Sequence, residues 1–372
     1  MLNAKTRKPH FKALTRAITF AALGGIATAL SPLALATSPQ APNPFQITVD
    51  DSFDWLLLTS NELLKGELKN LYDDKLEFES DNLDTLYFDW EDVKALRSSG
   101  IVSVGMVDLS TQTGKLEIID GKAYLDGRPF DRSQILTIIA GTQTEANYWS
   151  GKVSLGANLR SGNTDQIDYS ATANIKRRTT ESRFNSDYIG KYSKNDGENT
   201  VNNHRITGSF DWFISKQFYL RPVFIEYYKD PFLNIDTKLT LGAGLGYDII
   251  DNSKTEWTIG GGPAYTYTRF SEVEAGGSDT EGTAAFVLDT RFEHELTDDI
   301  DLNARYQLLY GNEDSGGYSH HALTGISIDL TDMFDLDVSL VWDRTNNPRA
   351  NADGSIPKSD DYQLIIGIGI DL

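Results

Sequence analysis

Between residues 148 and 372, apolar and polar side chains alternate through roughly a dozen short segments, most of them bounded by Gly, Asn, Asp or Ser. In the last segment Tyr362, Leu364, Ile366, Ile368, Ile370 and Leu372 fall on one face. Gln363, Gly367, Gly369 and Asp371 fall on the other, with Ile365 as the exception. Successive side chains of a strand point to opposite faces, so each segment offers one surface to lipid and keeps the other from it. The pattern predicts a transmembrane antiparallel β-barrel of about 12 strands.

The start of the chain explains how such a barrel reaches a membrane. Lys5, Arg7, Lys8, Lys12 and Arg16 lead, an apolar stretch over 17–30 follows, and Ala34 and Ala36 supply the small residues at −3 and −1 of a signal-peptidase site. Residues 1–36 are therefore expected to be a signal peptide cleaved after Ala36. The rival, an uncleaved anchor, is weakened by Gly24, Gly25 and Pro32 in a span already short for crossing hydrocarbon.

Composition fits export to a Gram-negative envelope. With 34 basic and 54 acidic side chains the precursor carries −20, and loss of the leader's five basic residues leaves −25. Such a surface repels nucleic acid. The chain has no cysteine, hence no disulfide framework, thiolate nucleophile or cysteine metal site.

After a Pro/Ser/Ala-rich linker at 37–44, residues 45–146 have a different texture. Strand-like clusters such as Trp55-Leu56-Leu57-Leu58 and Leu86-Tyr87-Phe88 alternate with Asn/Asp/Ser/Gly turns. An internal echo runs from Gly66-Glu67-Leu68 to Trp90-Glu91-Asp92-Val93, and again from Gly114-Lys115-Leu116 to Phe130 through Ile135. These features predict a small, mainly-β periplasmic domain, SH3-like or Sm-like, ahead of a barrel over 147–372.

Within that region, segments start near Trp149, Ile167, Phe184, Arg205, Phe218, Leu239, Trp257, Ala284, Ile300, Ala322, Leu336 and Tyr362. An even number of strands suits a single-chain bacterial barrel. Connections at 271–282, 311–319 and 344–360 are long, and those at 214–217, 297–299 and 331–334 short, so both chain ends fall in the periplasm. With that topology, Trp149, Trp212, Tyr247, Trp257 and Phe292 collect at the short-turn ends. Tyr192, Tyr227, Tyr267, Tyr310, Trp342 and Tyr362 collect at the long-loop ends. Amphipathic rings prefer the headgroup level, and a soluble sandwich or lipocalin-like barrel has no use for this sorting.

Trp149, Gly151, Gly156 and Asn158, then Gly162-Asn163-Thr164-Asp165, then Arg178, Thr180 and Arg183, form a run that resembles a bacterial family described as salt-induced outer membrane proteins, otherwise labelled a domain of unknown function. The resemblance implies an outer-membrane location and a link to salt or osmotic stress, with no known catalytic residue. The turn chemistry has its own explanation, since Gly and Asn tolerate the positive φ of a tight hairpin. One departure stands out: such barrels commonly end in an aromatic residue read by the assembly machinery, and this chain ends in Leu372.

Candidate chemistry is sparse. The runs at 242–246 and 260–262 are rich in Gly, but a dinucleotide site needs a helix N-terminus and here strand alternation continues. Small residues that ease curvature and close packing are the better account. His204, His294, His320 and His321 remain after the leader, and Ser319 beside the last two raises a rim hydrolase of lipase or protease type. Neighbours on a strand point apart, so adjacency makes no triad. Acidic loops carry Asp196 and Glu198, Glu272, Glu274, Asp279 and Glu281, and Glu313 and Asp314, where carboxylates would take hard cations or bridge lipopolysaccharide phosphates. No spacing matches a calcium loop, and no cofactor or metal site is expected.

The lumen is the most distinctive surface. Lys152, Arg160, Asp168, Lys176, Asp187, Lys191, Arg205, Asp211, Asp289, Arg291, Glu293 and Arg305 share the inward parity. Paired, they fill a narrow barrel; unpaired, they line a water path. The expected protein is thus a non-enzymatic outer-membrane barrel serving envelope integrity or small-solute passage under salt stress. Its expected partners are outer-membrane lipid and lipopolysaccharide, periplasmic chaperones and the barrel assembly machinery. Two rivals remain: the rim hydrolase, and a barrel that only anchors a partner-recruiting periplasmic domain.

Overall fold

The computed structural model describes residues 50–371, apart from 81, 142–147, 163–164, 298, 312–316 and 332. The expected signal peptide and linker, Asn163, Thr164, Glu313, Asp314 and Leu372 lie outside the described residues.

The first half is an 11-stranded antiparallel sheet. Its strands are β1 (Asp54–Leu58), β2 (Leu63–Tyr72), β3 (Lys75–Ser80), β4 (Asp84–Asp89), β5 (Val93–Arg97), β6 (Val102–Met106), β7 (Thr111–Gly114), β8 (Leu116–Ile119), β9 (Lys122–Leu125), β10 (Arg128–Asp131) and β11 (Ile135–Ala140). The echo in the sequence marks a repeated unit, because each copy ends in a 3₁₀ turn, Trp90–Asp92 or Arg132–Gln134, that feeds a closing strand. The copies interleave: β5 pairs with β1 of its own half and β8 of the other, and β11 pairs with β6 and with β2. Leu56, Leu68, Leu76, Phe78, Leu96, Leu116, Ile118 and Ile138 form the buried core between them. Arg132 rivets the halves, donating to the carbonyls of Val93 (2.5 Å) and Trp90 and lying 4.2 Å over the Trp90 ring.

The second half is a closed barrel of twelve antiparallel strands, β12 (Trp149–Arg160), β13 (Gln166–Arg178), β14 (Ser182–Asn195), β15 (Glu198–Phe213), β16 (Phe218–Asp230), β17 (Ile235–Asn252), β18 (Thr255–Phe270), β19 (Thr280–Thr297), β20 (Ile300–Tyr310), β21 (Tyr318–Asp329), β22 (Phe334–Thr345) and β23 (Asp360–Asp371). Closure pairs Lys152 with Asp371 and Leu155 with Ile368. β15 and β17 begin ahead of Arg205 and Leu239, because the ladder continues past the apolar belt into water, where alternation has no reason to persist. At the end of the barrel away from the N-terminal sheet only the later loops, 271–279, 311–317 and 346–359, are long; those at 161–165, 196–197 and 231–234 are short.

Leu155, Leu159, Leu241, Leu364 and Ile366 lie exposed on the outer wall. Rings bracket this belt: Trp149, Trp212, Tyr247 and Trp257 at the short-turn end, Tyr267, Tyr310 and Tyr362 at the other. The Gly runs on β17 and β18 serve close packing, since a Cβ on Gly244 would sit 2.2 Å from the carbonyl oxygen of Gly261. Ile365, the exception to the final alternation, is 4% exposed and packs inside the barrel with Leu323, Val341 and Ile189.

Candidate functional site

The lumen is filled by charge in three tiers. Nearest the short-turn end, Arg183 on β14 reaches Asp211 (3.2 Å), Asp248 (3.0 Å) and Glu256 (3.1 Å). Arg221 on β16 holds Asp211 (2.7 Å) and Asp289 (2.9 Å), and Lys176 on β13 holds Glu256 (2.9 Å). Asp211 is 0% exposed. A carboxylate buried to that degree needs paired cations to offset the water it has lost. The Tyr219 ring lies 4.9 Å from the Arg183 guanidinium and fits against Gly246, where a Cβ would sit 2.1 Å from the ring.

In the middle tier Asp187 on β14 takes two guanidiniums, Arg291 from β19 at 2.5 Å and Arg305 from β20. Asn174 also donates to it, at 2.5 Å. In the outer tier Arg205 on β15 bridges Glu226 (2.7 Å) and Asp343 (2.6 Å) and lies 4.1 Å over the Tyr228 ring. His321 Nδ1 meets Asp343 at 2.8 Å, and Lys238 donates to Ser319 at 3.3 Å.

These tiers leave only small spaces: a middle chamber of about 90 Å³ and an outer one of about 70 Å³. At the long-loop mouth the loops are bonded to one another. Asn234, in the left-handed region at φ 59°, receives the amide of Glu272 (2.8 Å) and donates to the carbonyls of Glu272 (3.0 Å) and Ala350 (3.1 Å), tying two outer loops together.

The short-turn mouth opens into a vestibule of about 460 Å³, lined by barrel residues and by the β2–β3 hairpin of the first half. Asp73 and Asp74 form that hairpin's two-residue turn, both at positive φ, 50° and 60°. The hairpin is tethered by Lys75 to Glu295 (2.5 Å), Asp73 to Lys176 (3.6 Å) and Asp74 to Lys216 (4.0 Å), and Asp89 adds a pair to Lys254 (3.8 Å). Alongside, Thr137 on β11 meets Thr180 of the barrel at 3.4 Å.

Among the residues given inward parity, Lys176, Asp187, Arg205, Asp211, Asp289, Arg291 and Arg305 belong to these tiers. Lys152 pairs with Asp335 (2.5 Å) near the short-turn end, and Glu293 approaches Arg291 at 4.0 Å. Asp168 bonds to Gln166 (2.9 Å) and Asn158 (3.1 Å) towards the outer end, and Arg160 stands exposed at the rim. Of the motif residues, Gly162 adopts φ 146°, Asp165 bonds to Ser161 (2.8 Å), and a Cβ on Gly156 would meet the Ile366 carbonyl oxygen at 2.2 Å. Trp149 packs edge-on against Phe184, and Gly151 faces Ile175 in the ladder.

Arg183, Arg221, Asp248, Glu256 and Asp343 complete the tiers, and each has the inward parity of its strand. The sequence pattern hides Glu226: the register shifts between Arg221 and Phe224, at Pro222, and inverts the alternation beyond it. Ser319 and His321 both point inward. His320 points outward, stacked 5.5 Å from Trp342 and bonded to the Tyr306 hydroxyl at 2.6 Å. Among the described residues no hydrogen bond joins Ser319 to His321, and no cluster of His, Asp and Glu is arranged to hold a metal.

A closed antiparallel barrel, an apolar outer belt between two rings of aromatics and a polar lumen together define a β-barrel of the outer-membrane type. Residues 153–372 match the family described as "Protein of unknown function, DUF481", and the chain belongs to that family. No curated protein sequence matches it. Among solved structures it is similar to the NanC porin (TM-score 0.36, 11% identity, covering 60% of this chain and 100% of that one). It is also similar to the translocator domain of the autotransporter NalP from Neisseria meningitidis (0.33, 14%, 60% and 86%) and to a FadL homologue of Pseudomonas aeruginosa (0.30, 11%, 60% and 79%). Likenesses at this level carry no solute or mechanism to this chain.

Proposed function

We propose that this chain is an outer-membrane barrel passing small solutes slowly, with the N-terminal sheet in the periplasm as a salt-sensitive cover over the inner mouth. The observation that carries this is the β2–β3 hairpin, tethered across the vestibule by lysine–carboxylate pairs that retain solvent contact. Exposed pairs are worth little individually and weaken as salt shortens the Debye length from about 10 Å at 0.1 M to about 3 Å at 1 M. The pairs of Arg183 and Arg205, and of Arg221 with Asp211, are nearly fully buried and respond less, so the hairpin is the element that salt moves most. That supplies a physical basis for the salt link implied by the resemblance noted in the sequence. In this reading the belt meets outer-membrane lipid and lipopolysaccharide, and the chain reaches them through periplasmic chaperones and the barrel assembly machinery.

Planar-bilayer recording tests the proposal. Conductance is expected to rise faster than bulk conductivity between about 0.1 M and about 1 M KCl. The double change Lys75→Glu with Asp74→Lys, which reverses two tethers, is expected to raise it at low salt already. Silence at every voltage and salt concentration, in native chain and variant alike, sinks passage and leaves envelope integrity.

A further inference from the structure

The cations and anions of the lumen are not matched tier by tier. In the short-turn tier Arg183, Arg221 and Lys176 face more carboxylates than their own number, and in the outer tier Arg205 and Lys238 match Glu226 and Asp343. In the middle tier Arg291 and Arg305 share the single carboxylate of Asp187. Glu293 touches Arg291 only at 4.0 Å. The surplus positive charge therefore sits where the 90 Å³ chamber opens between β14, β19 and β20.

Two polar atoms at this chamber lack partners among the described residues. Arg305 Nε is buried with no hydrogen bond, and so is Oδ1 of Asn185, a side chain 8% exposed. Leaving such a donor buried and unmet costs about 1–3 kcal/mol, more beside a charge, so it offers a place to an acceptor that enters the chamber. The planar guanidinium fork matches the oxygens of an oxyanion, and a protonated oxygen, or a turned amide, satisfies Asn185.

We propose that the middle tier is a binding site for a small oxyanion, of the size of inorganic phosphate or a short carboxylate, held by Arg291 and Arg305 with Asn185 opposite. The chamber is small, about 90 Å³, and Asp187 and Arg305 also border the vestibule, so a compact anion can reach it from the short-turn mouth. This site deepens the passage reading by giving the solute its charge and size, and rests on it for any role in transport.

The test uses the full chain folded in detergent. Thermal unfolding and titration calorimetry are followed with phosphate, sulfate and acetate, each against chloride at equal ionic strength. At least one oxyanion is expected to raise the unfolding midpoint where chloride does not. Arg305→Gln is expected to weaken its binding at least tenfold, and Asn185→Leu, which keeps every charge and fills the chamber, to do the same. Should Arg305→Gln fail to fold, Asn185→Leu decides alone. Oxyanion effects no larger than chloride's, or affinity unchanged in both variants, overturn the site. Conduction without oxyanion preference or binding also overturns it while leaving passage intact; binding by a barrel that never conducts supports it and removes passage.

Discussion

Two residues show how little freedom the lumen leaves. Ile365 breaks the polar side of its strand because Leu323 and Val341 need an apolar neighbour there. Ile365→Ala is expected to lower barrel stability by about 2–4 kcal/mol, read as a shift of the urea midpoint, whereas Leu364→Ala on the lipid side is expected to shift it less. Gly246 makes room for the Tyr219 ring that separates two guanidiniums. Gly246→Ala is expected to push that ring out and expose Arg183 and Asp211 as imperfect pairs, reducing the heat-modifiable folded band on unboiled gels. The parity of Asp187 and Arg205 was legible in the sequence, since strand alternation is local. That Arg205 meets Asp343 was not, because the partner arrives from the far side of a closed cylinder. Glu226 shows a further limit: one bulge at Pro222 reverses every parity after it.

At the scale of elements, the β2–β3 hairpin matters most. In the sequence Leu71-Tyr72 and Lys75-Leu76 flank Asp73-Asp74 as strand-like pieces around a turn, but nothing local marks a hairpin as one that lines another element's mouth. Asp73 and Asp74 occupy the left-handed region that a two-residue turn of this hand requires, which Asp tolerates and β-branched residues do not. Asp74→Val is expected to cost about 1–2 kcal/mol locally and to make the hairpin a preferred protease site. Burial pushes the Tyr72 hydroxyl well above the ordinary tyrosine range. A raised acid favours the neutral form in the folded state, so its contribution is whole below about pH 10, the ordinary tyrosine value, and fades as pH climbs through the folded one. Hydrogen exchange at the hairpin is therefore expected to accelerate in strong alkali, and Tyr72→Phe to blunt that acceleration.

At the scale of the molecule, the strand number and the aromatic rings were readable because lipid imposes one rule on the whole wall. The contact between the N-terminal sheet and the barrel was not, since it rests on a few polar pairs with no periodicity. Arg132→Met removes the rivet between the interleaved halves and is expected to destabilise the N-terminal sheet by about 2 kcal/mol, seen as a lower midpoint for Trp55 and Trp90 fluorescence. The interleaving also bears on biogenesis. β2 waits for β11, and β5 for β8, so a chain threaded out residue by residue cannot complete its first half until the last strand of the second has emerged. Folding of this unit is thereby timed to the moment just before the barrel sequence itself appears.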